Sequence, residues 1–393
     1  MAASAVYASC GSLNGGVNAA RLNRPRAARP LKSSIRIVVL YIKRAMRLRI
    51  IRTDLPLKHV MTVFRGTISV IKAVVVELEQ DGLRGYGEAY EDLHWGVSLD
   101  SMVSALESCR RFTADYALAD PRAFGLKIEA LLKDKPNPAA VSAIEMAACD
   151  LWGKLRNTPL YRVWRYDPRR LPLSSYTLGL DSLFRIIEKF NEQPNWPIYR
   201  IKLGAYEDMT ILRELRKRTK SPFRLDVNGC WTKQQALDYV DELKTLNIEL
   251  IEQPLHPDDW DGMAKLKEVC DIPFIADESC RCEADIDKCV GFFDGLNLKP
   301  VKFGGLMSTH RALEMARARG FKTMIGNTIE SSIAASATSQ FAPRLDYVYL
   351  DGPMLIDKKI GVGVQLDQGR IIMSRENGVG FSCRTVDSRN DSI

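Results

Sequence analysis

The first 53 residues contain no aspartate or glutamate, yet they hold eleven lysines and arginines. Without them the chain has 45 cations against 48 acids, a net of −3, so the formal +8 belongs to the N-terminal stretch. Nothing in the body's charge argues for nucleic acid. Long apolar runs are also missing: a run such as Ile37 to Ile42 falls far short of the roughly 20 residues a membrane span needs, and no membrane association is expected. The nine cysteines are odd in number and irregularly spaced, and the closest group, Cys280, Cys282 and Cys289, lacks the paired spacing of a zinc site. Buried free thiols in a reducing compartment are expected. Gly304-Gly305 reads as a turn into a helix, with nothing else of a phosphate-cradling loop around it. Residues 1–45, rich in Ala, Ser and Arg, read in one of two ways. They are an organellar transit segment, or they are a mis-called leader before a true start at Met46, which would make the protein cytoplasmic. The apolar stretch "IRIVVLYI" and the scarcity of Thr favour the second.

What is present divides by grammar. From Met46 to about Glu91 the pattern is that of strands: "KAVVVELE" alternates and leads through the turn "QDG" into "GYGEAYE". Helices are expected over 98–117 and 120–133, and again over "AAVSAIEMAACDLWGKL" after the break at Pro136 and Pro138. This is an α+β unit, assigned to residues 46–165. From 166 to 355 short apolar runs ending in a polar residue alternate with helical stretches: "YTLGLD", "YRIKLG", "FRLDVN", "IELIEQP", "PFIADE", "GLNLKP", "KTMIGN" and "YVYLDG". Strands apolar on both faces imply a parallel sheet, and eight βα repeats imply a closed barrel. Residues 356–393 carry further turn and strand signals and are expected to return to the first unit before a polar tail.

The residues closing those runs are Lys202, Asp226, Glu252, Asp277, Lys299, Asn327 and Asp351, at spacings of 22 to 28 residues, one βα unit apiece. They should converge at the C-terminal mouth of the barrel. Each alone is also what a helix N-cap would use. Three acids in one phase on consecutive units are better explained as ligands, and an all-oxygen set suits Mg²⁺. Asn228, two residues past Asp226, is placed to orient a ligand or a metal-bound water. Lys202 and Lys299 flank the trio. A lysine acting as a base needs a pKa below its free value of about 10.4. Arg200 beside Lys202 and Lys302 beside Lys299 are expected to push it down together with the metal.

The set "RIKLG", "LDVNG", "IEQPL", "ADES", "NLKPVKFGGL" and "LDGPMLI" resembles the enolase superfamily, and within it the muconate-lactonising subgroup that contains the dipeptide epimerases. The resemblance covers roughly Met46 to Phe381. It implies a (β/α)7β modified TIM barrel under an α+β capping domain completed by the C-terminal segment. Carried over by motif, Asp226, Glu252 and Asp277 become ligands of one Mg²⁺ per subunit. Lys202 and Lys299 become acid/bases on opposite faces of a substrate that loses its α-proton to give an enediolate. None of the four histidines ends a barrel strand, so the histidine base of mandelate-racemase-like relatives is absent.

With an amine on each face, the resemblance implies two-base epimerisation at the α-carbon of a dipeptide or similar N-cationic derivative. Lactonising and dehydrating relatives keep both lysines too, and a lyase is the alternative; a binding protein that kept the fold is the remote one. On the eighth strand the epimerases carry Asp-x-Asp-Gly, whose acids hold the substrate ammonium. This chain reads Tyr349-Leu350-Asp351-Gly352, one acid and one tyrosine. Arg200 stands where the family usually has lysine. Phe64 and Arg65 in "TVFRGT" match a loop that closes over substrate. Arg200, Asp351, Tyr349, Arg65, Phe64 and Lys302 are therefore the expected substrate contacts, and a homo-oligomer is expected.

Overall fold

The computed structural model describes residues 45–383 apart from 64–65, 94–95, 205–206, 327–328 and 358–359; side chains within 61–67 are not described. The expected contacts Phe64 and Arg65, the strand-end residue Asn327 and nearly all of the N-terminal leader lie outside the described residues.

Three antiparallel strands open the chain: β1 (Arg47–Val63), β2 (Gly66–Gln80) and β3 (Leu83–Tyr90). The alternation in β2 sorts its faces as expected. Val74, Val76 and Leu78 are buried against helices, while Val75 joins the core on the barrel side with Tyr86 and Met146. Helices α1 (Leu99–Ser108), α2 (Arg110–Ala114), α3 (Pro121–Leu131), α4 (Pro138–Leu155) and α5 (Leu160–Val163) follow. The stretch expected as one helix over 98–117 is divided at Cys109. Asn137 caps α4, accepting from the Ala140 N–H at 2.9 Å, and Pro138 occupies its first turn, where no donor is needed.

The barrel strands are β4 (Tyr176–Leu178), β5 (Tyr199–Lys202), β6 (Phe223–Asp226), β7 (Ile248–Glu252), β8 (Phe274–Ala276), β9 (Gly295–Asn297), β10 (Lys322–Gly326) and β11 (Tyr347–Tyr349), all parallel and each paired to the next. A bridge from Ser174 to Val348 brings the two edges together. All eight strands coincide with the apolar runs read from sequence. Helices α6 (Leu183–Glu192), α7 (Asp208–Arg216), α8 (Lys233–Thr245) and α9 (Trp260–Val269) follow β4 to β7. After β8 only two single 3₁₀ turns, Glu283–Asp285 and Asp287–Cys289, make the crossover. The short α10 (Pro300–Phe303) and then α11 (Leu306–Ala318) follow β9, α12 (Ser332–Ser339) follows β10, and α13 (Gly352–Leu355) follows β11.

Three buried carboxylates from the first unit fasten it to what comes later. Glu145 of α4 accepts from the N–H groups of Leu306 and Met307 at 2.6 and 2.9 Å, so it caps α11. Gly305, at φ 125°, has no side chain because one would meet that carboxylate: an added Cβ would lie 2.4 Å from its oxygen. The helix N-terminus that follows the two glycines is thus occupied by the protein's own acid. Glu88 of β3 likewise accepts from Ser331 and the Ala334 N–H at the start of α12. Asp150 accepts from the N–H groups of Tyr86 and Val379, both at 2.9 Å. The first N–H groups of α11 and α12, which have no partner within their helices, are satisfied by Glu145 and Glu88. The C-terminal segment returns over the first unit, bridging Ile356 to Leu57 and setting the Phe381 ring edge-on to Tyr86 at 5.4 Å. The eight described cysteines are all free thiols, and no described helix is long and apolar enough to cross a membrane.

Candidate active site at the mouth of the barrel

Parallel register carries the strand-end residues to one rim. Lys202 pairs with Asp226, and Asp226 with Glu252, as laterally adjacent positions on β5, β6 and β7. Asp277 follows the end of β8 and Lys299 lies two residues past β9, in phase with Asn297. Gln253, fully buried, fixes the loop that carries Asp277: its side-chain oxygen accepts from the N–H groups of Asp277 and Ser279 at 3.1 and 3.0 Å. That accounts for the glutamine in "IEQP". Above the rim a cavity of about 1800 Å³ separates the first unit from the barrel, and Lys202, Asp277, Glu278, Lys299 and Asp351 line it.

The acids and cations of the rim are bonded to each other. Arg200 donates from Nη2 to Asp226 Oδ2, and from Nε and Nη2 to Glu252 Oε2 at 3.1 and 3.0 Å. Lys202 donates to the same Asp226 oxygen at 3.0 Å and to Asn228 Oδ1 at 3.1 Å. Asn228 in turn donates to Glu278 Oε1 at 3.0 Å. On the far side Lys299 donates to Asp277 Oδ2 at 2.5 Å, and Lys302 donates to Asp277 Oδ1 and to the Asn297 carbonyl, both at 2.7 Å. The eighth-strand pair separates: Tyr349 is buried in the barrel, its hydroxyl accepting from Asn297 Nδ2 at 2.9 Å, while Asp351 accepts from the Thr177 N–H at 2.6 Å.

This arrangement changes the expected role of the paired cations. Arg200 and Lys302 are not free positive neighbours of the two lysines, because both are engaged by carboxylates. Burial would lower the Lys299 amine, but Asp277, then Tyr349, Glu252 and Glu278, outweigh it and hold the amine well above the ordinary lysine value. For Asp277 burial alone would raise the carboxyl; Lys299 and Lys302 reverse that and hold it far below the usual range. Glu278 is pushed up to about 7 by burial and by the charge of Asp277.

Several residues of the site carry no signal in a linear reading. Asn297 is fully buried and links Glu252, Tyr349 and the Gly326 N–H. Glu278 is buried at the cavity wall with Oε2 bonded to no described group. Thr177 holds Asp351. Only Asn297, two residues before Lys299 and so in phase with it, could have been singled out by spacing.

The donor types suit a hard divalent cation: three carboxylates on adjacent strands, all oxygen. Their placement is less accommodating. Among the described residues no group of three His, Cys, Asp or Glu side chains is arranged to hold a metal ion. Asp226 and Asp277 retain acceptor capacity, whereas the Glu252 oxygens take two bonds from Arg200 and further bonds from Asn297 and Tyr349.

The sequence matches the family described as Mandelate racemase / muconate lactonizing enzyme, N-terminal domain, over residues 45–163, and Enolase C-terminal domain-like over residues 187–386. It is 37% identical to the L-Ala-D/L-amino acid epimerase of Flavobacterium johnsoniae over 86% of this chain and 99% of that protein. It is 31% identical to the L-Ala-D/L-Glu epimerase of Bacteroides thetaiotaomicron over 89% of this chain and 91% of that protein. Among solved structures, the substrate-liganded L-Ala-D/L-Glu epimerase of Bacillus subtilis superposes with a TM-score of 0.81 at 27% identity, over 86% of this chain and 99% of that one. The dipeptide epimerase of Enterococcus faecalis, complexed with Mg and the dipeptide L-Leu-L-Tyr, superposes with a TM-score of 0.79 at 26% identity over the same shares.

Proposed function

The chain belongs to the mandelate racemase and muconate lactonizing enzyme family of the enolase superfamily and is an isomerase, and we propose that it epimerises the α-carbon of a dipeptide or similar N-cationic amino-acid derivative by two-base proton transfer, with Mg²⁺. One observation carries this reading. Lys202 ends β5 and Lys299 follows β9, four strands apart in an eight-stranded barrel, so their amines reach the rim from opposite sides. Each is tied to a different acid of the trio, Lys202 to Asp226 and Lys299 to Asp277. An α-carbon held between them can lose its proton to one amine and receive another from the opposite one, which inverts the centre.

In this reading Asp226, Glu252 and Asp277 would hold the ion, whose contribution is Lewis-acid stabilisation of negative charge at the substrate carboxylate. The chain's own residues do the rest. The lysine that starts neutral removes the proton, and the one that starts charged delivers one to the other face of the enediolate. Asn228, bonded to both Lys202 and Glu278, fixes the Lys202 amine in direction. Asp351 is a buried acid on the cavity wall and the natural partner of a substrate ammonium. Arg200, Tyr349 and Lys302 also line the cavity, with polar groups bonded to the trio or to Asn297, and support the site from there.

The test is incubation with Mg²⁺ and a dipeptide library in D₂O, read by mass spectrometry. A gain of one deuteron without other mass change is expected for some dipeptides, with both epimers appearing by chiral chromatography. Loss of water would instead indicate a dehydratase, and no exchange in any dipeptide would overturn the reading.

A further inference from the structure

Two departures from the family pattern, Arg200 and Tyr349, meet in space. The Arg200 guanidinium carbon lies 4.0 Å from the centre of the Tyr349 ring, close enough for a cation–π contact. The ring reaches that place because β10 presents Gly326 opposite it: an added Cβ there would lie 1.7 Å from the ring's Cζ. The Tyr349 hydroxyl is fixed by Asn297, which also donates to Glu252 Oε1 at 2.6 Å. Arg200 is 4% exposed and bridges Asp226 and Glu252, two adjacent members of the acid trio.

Counting acceptor positions gives the consequence. An ionised carboxylate offers about four lone-pair directions. Glu252 uses two on the paired Arg200 donors at Oε2, and two on Asn297 and the Tyr349 hydroxyl at Oε1. Asp226 still has one, and Asp277 two, beyond the bonds they make within the site. A divalent ion entering the trio therefore meets two acids with capacity and a third whose Oε2 is taken by Arg200 and whose Oε1 is taken by Asn297 and Tyr349.

We infer that Arg200, seated on Tyr349, is a built-in counter-ion that competes with the divalent metal for Glu252 and Asp226. The site is held together without metal, and Glu252 joins Asp226 and Asp277 as a ligand only when the two-pronged guanidinium gives way. This rests on the reading that the trio is the metal site. A lysine at position 200 keeps the charge and three donors on one nitrogen, but has no planar fork and no flat face to stack on the ring. The competition is therefore a property of guanidinium geometry and not of net charge.

The experiment titrates metal-stripped full-length protein with Mn²⁺, following the free-ion electron paramagnetic resonance signal, for the wild type, Arg200→Lys and Arg200→Lys with Asp226→Asn. Arg200→Lys is expected to bind about tenfold tighter than the wild type, as befits loss of one charge-assisted competing bond. It should also gain more thermal stability from added Mg²⁺ than the wild type does. Asp226→Asn in that background should abolish the gain, which assigns the ion to the trio. Equal or weaker binding by Arg200→Lys overturns the inference while leaving the metal reading intact. Tighter binding that survives Asp226→Asn lies elsewhere and also overturns it. Absence of binding by every variant at millimolar Mn²⁺ overturns the inference together with the Mg²⁺ dependence proposed above.

Discussion

The Lys299 amine donates to Asp277 Oδ2 at 2.5 Å, while Lys202 donates to Asp226 Oδ2 at 3.0 Å, so each amine is anchored to a different acid of the trio. Asp277 and its neighbours outweigh burial and raise the Lys299 amine above its ordinary value. In the two-base scheme Lys299 delivers the proton to the isomer whose α-proton faces Lys202 and takes the α-proton of the other isomer. Lys299→Ala should lower epimerisation by about 10³-fold, within the range for loss of a general acid or base. It should leave wash-out of the α-proton in D₂O for the isomer whose α-proton faces Lys202, and Lys202→Ala should leave it for the other. Equal exchange of both isomers by either variant would rule out opposed bases.

Asp351 is buried, on the cavity wall, with one oxygen committed to the Thr177 N–H. Asparagine at this position preserves that bond through its own carbonyl and removes only the charge. Asp351→Asn should therefore raise KM for a dipeptide by about 10- to 100-fold, the loss expected when a buried ammonium forfeits its anion. kcat should change far less. An N-acetylated dipeptide, which has no ammonium, should show no such difference between the two proteins, and an equal loss on both would assign Asp351 a purely structural part.

What could be read from the chain was whatever repeats with a period. Each barrel strand is an apolar run closed by a polar residue, and parallel pairing preserves that phase, so Lys202, Asp226 and Glu252 fall side by side. What could not be read depends on closure of the ring. Arg200 and Lys202 share a face of β5, and linear reasoning let the arginine act on its sequence neighbour. In the folded barrel the acids of β6 and β7 are nearer, and they take the guanidinium. Tyr349 reads as a mouth residue by its place in the motif, and it lines the cavity; what the linear order hides is that its ring packs over Gly326 of the neighbouring strand. The missing helix after β8 has a local cause. In the stretch from Cys280 to Gly291 Asp285 folds back to accept from the N–H groups of Arg281 and Cys282, and the chain continues as two single 3₁₀ turns.

The fit of Tyr349 against Gly326 is a packing claim that a double-mutant cycle can test. Gly326→Ala forces the tyrosine ring, and with it the Arg200 stack, to move, since a Cβ cannot lie 1.7 Å from Cζ. A cost of about 3 kcal/mol is expected, at the upper end for overpacking. In a Tyr349→Ala background the same change should cost less than about 1 kcal/mol, because the clashing ring is gone. Additive costs in urea melts would show that the two residues do not share one space.

The docking acids give stability a definite pH dependence. Burial pushes the Glu145 carboxyl up to about 7 from an ordinary 4.5, against the opposing bonds from Met307 and Leu306. Its folded value lies above its unfolded one, so the unfolded chain ionises first as pH rises. The protonated, buried form then contributes stability that is complete below about 4.5 and is lost as pH climbs through about 7, by at most about 3 kcal/mol. Glu88 and Asp150, also raised chiefly by burial, slope the same way, whereas Asp277 slopes the other. The difference between the wild type and Glu145→Gln isolates the one group. Urea melts at pH 5 and pH 8 should show the wild type losing more stability between the two than the variant does. A variant with the same descent would mean that the two N–H donors at the start of α11 hold the carboxylate ionised throughout, offsetting its burial in full.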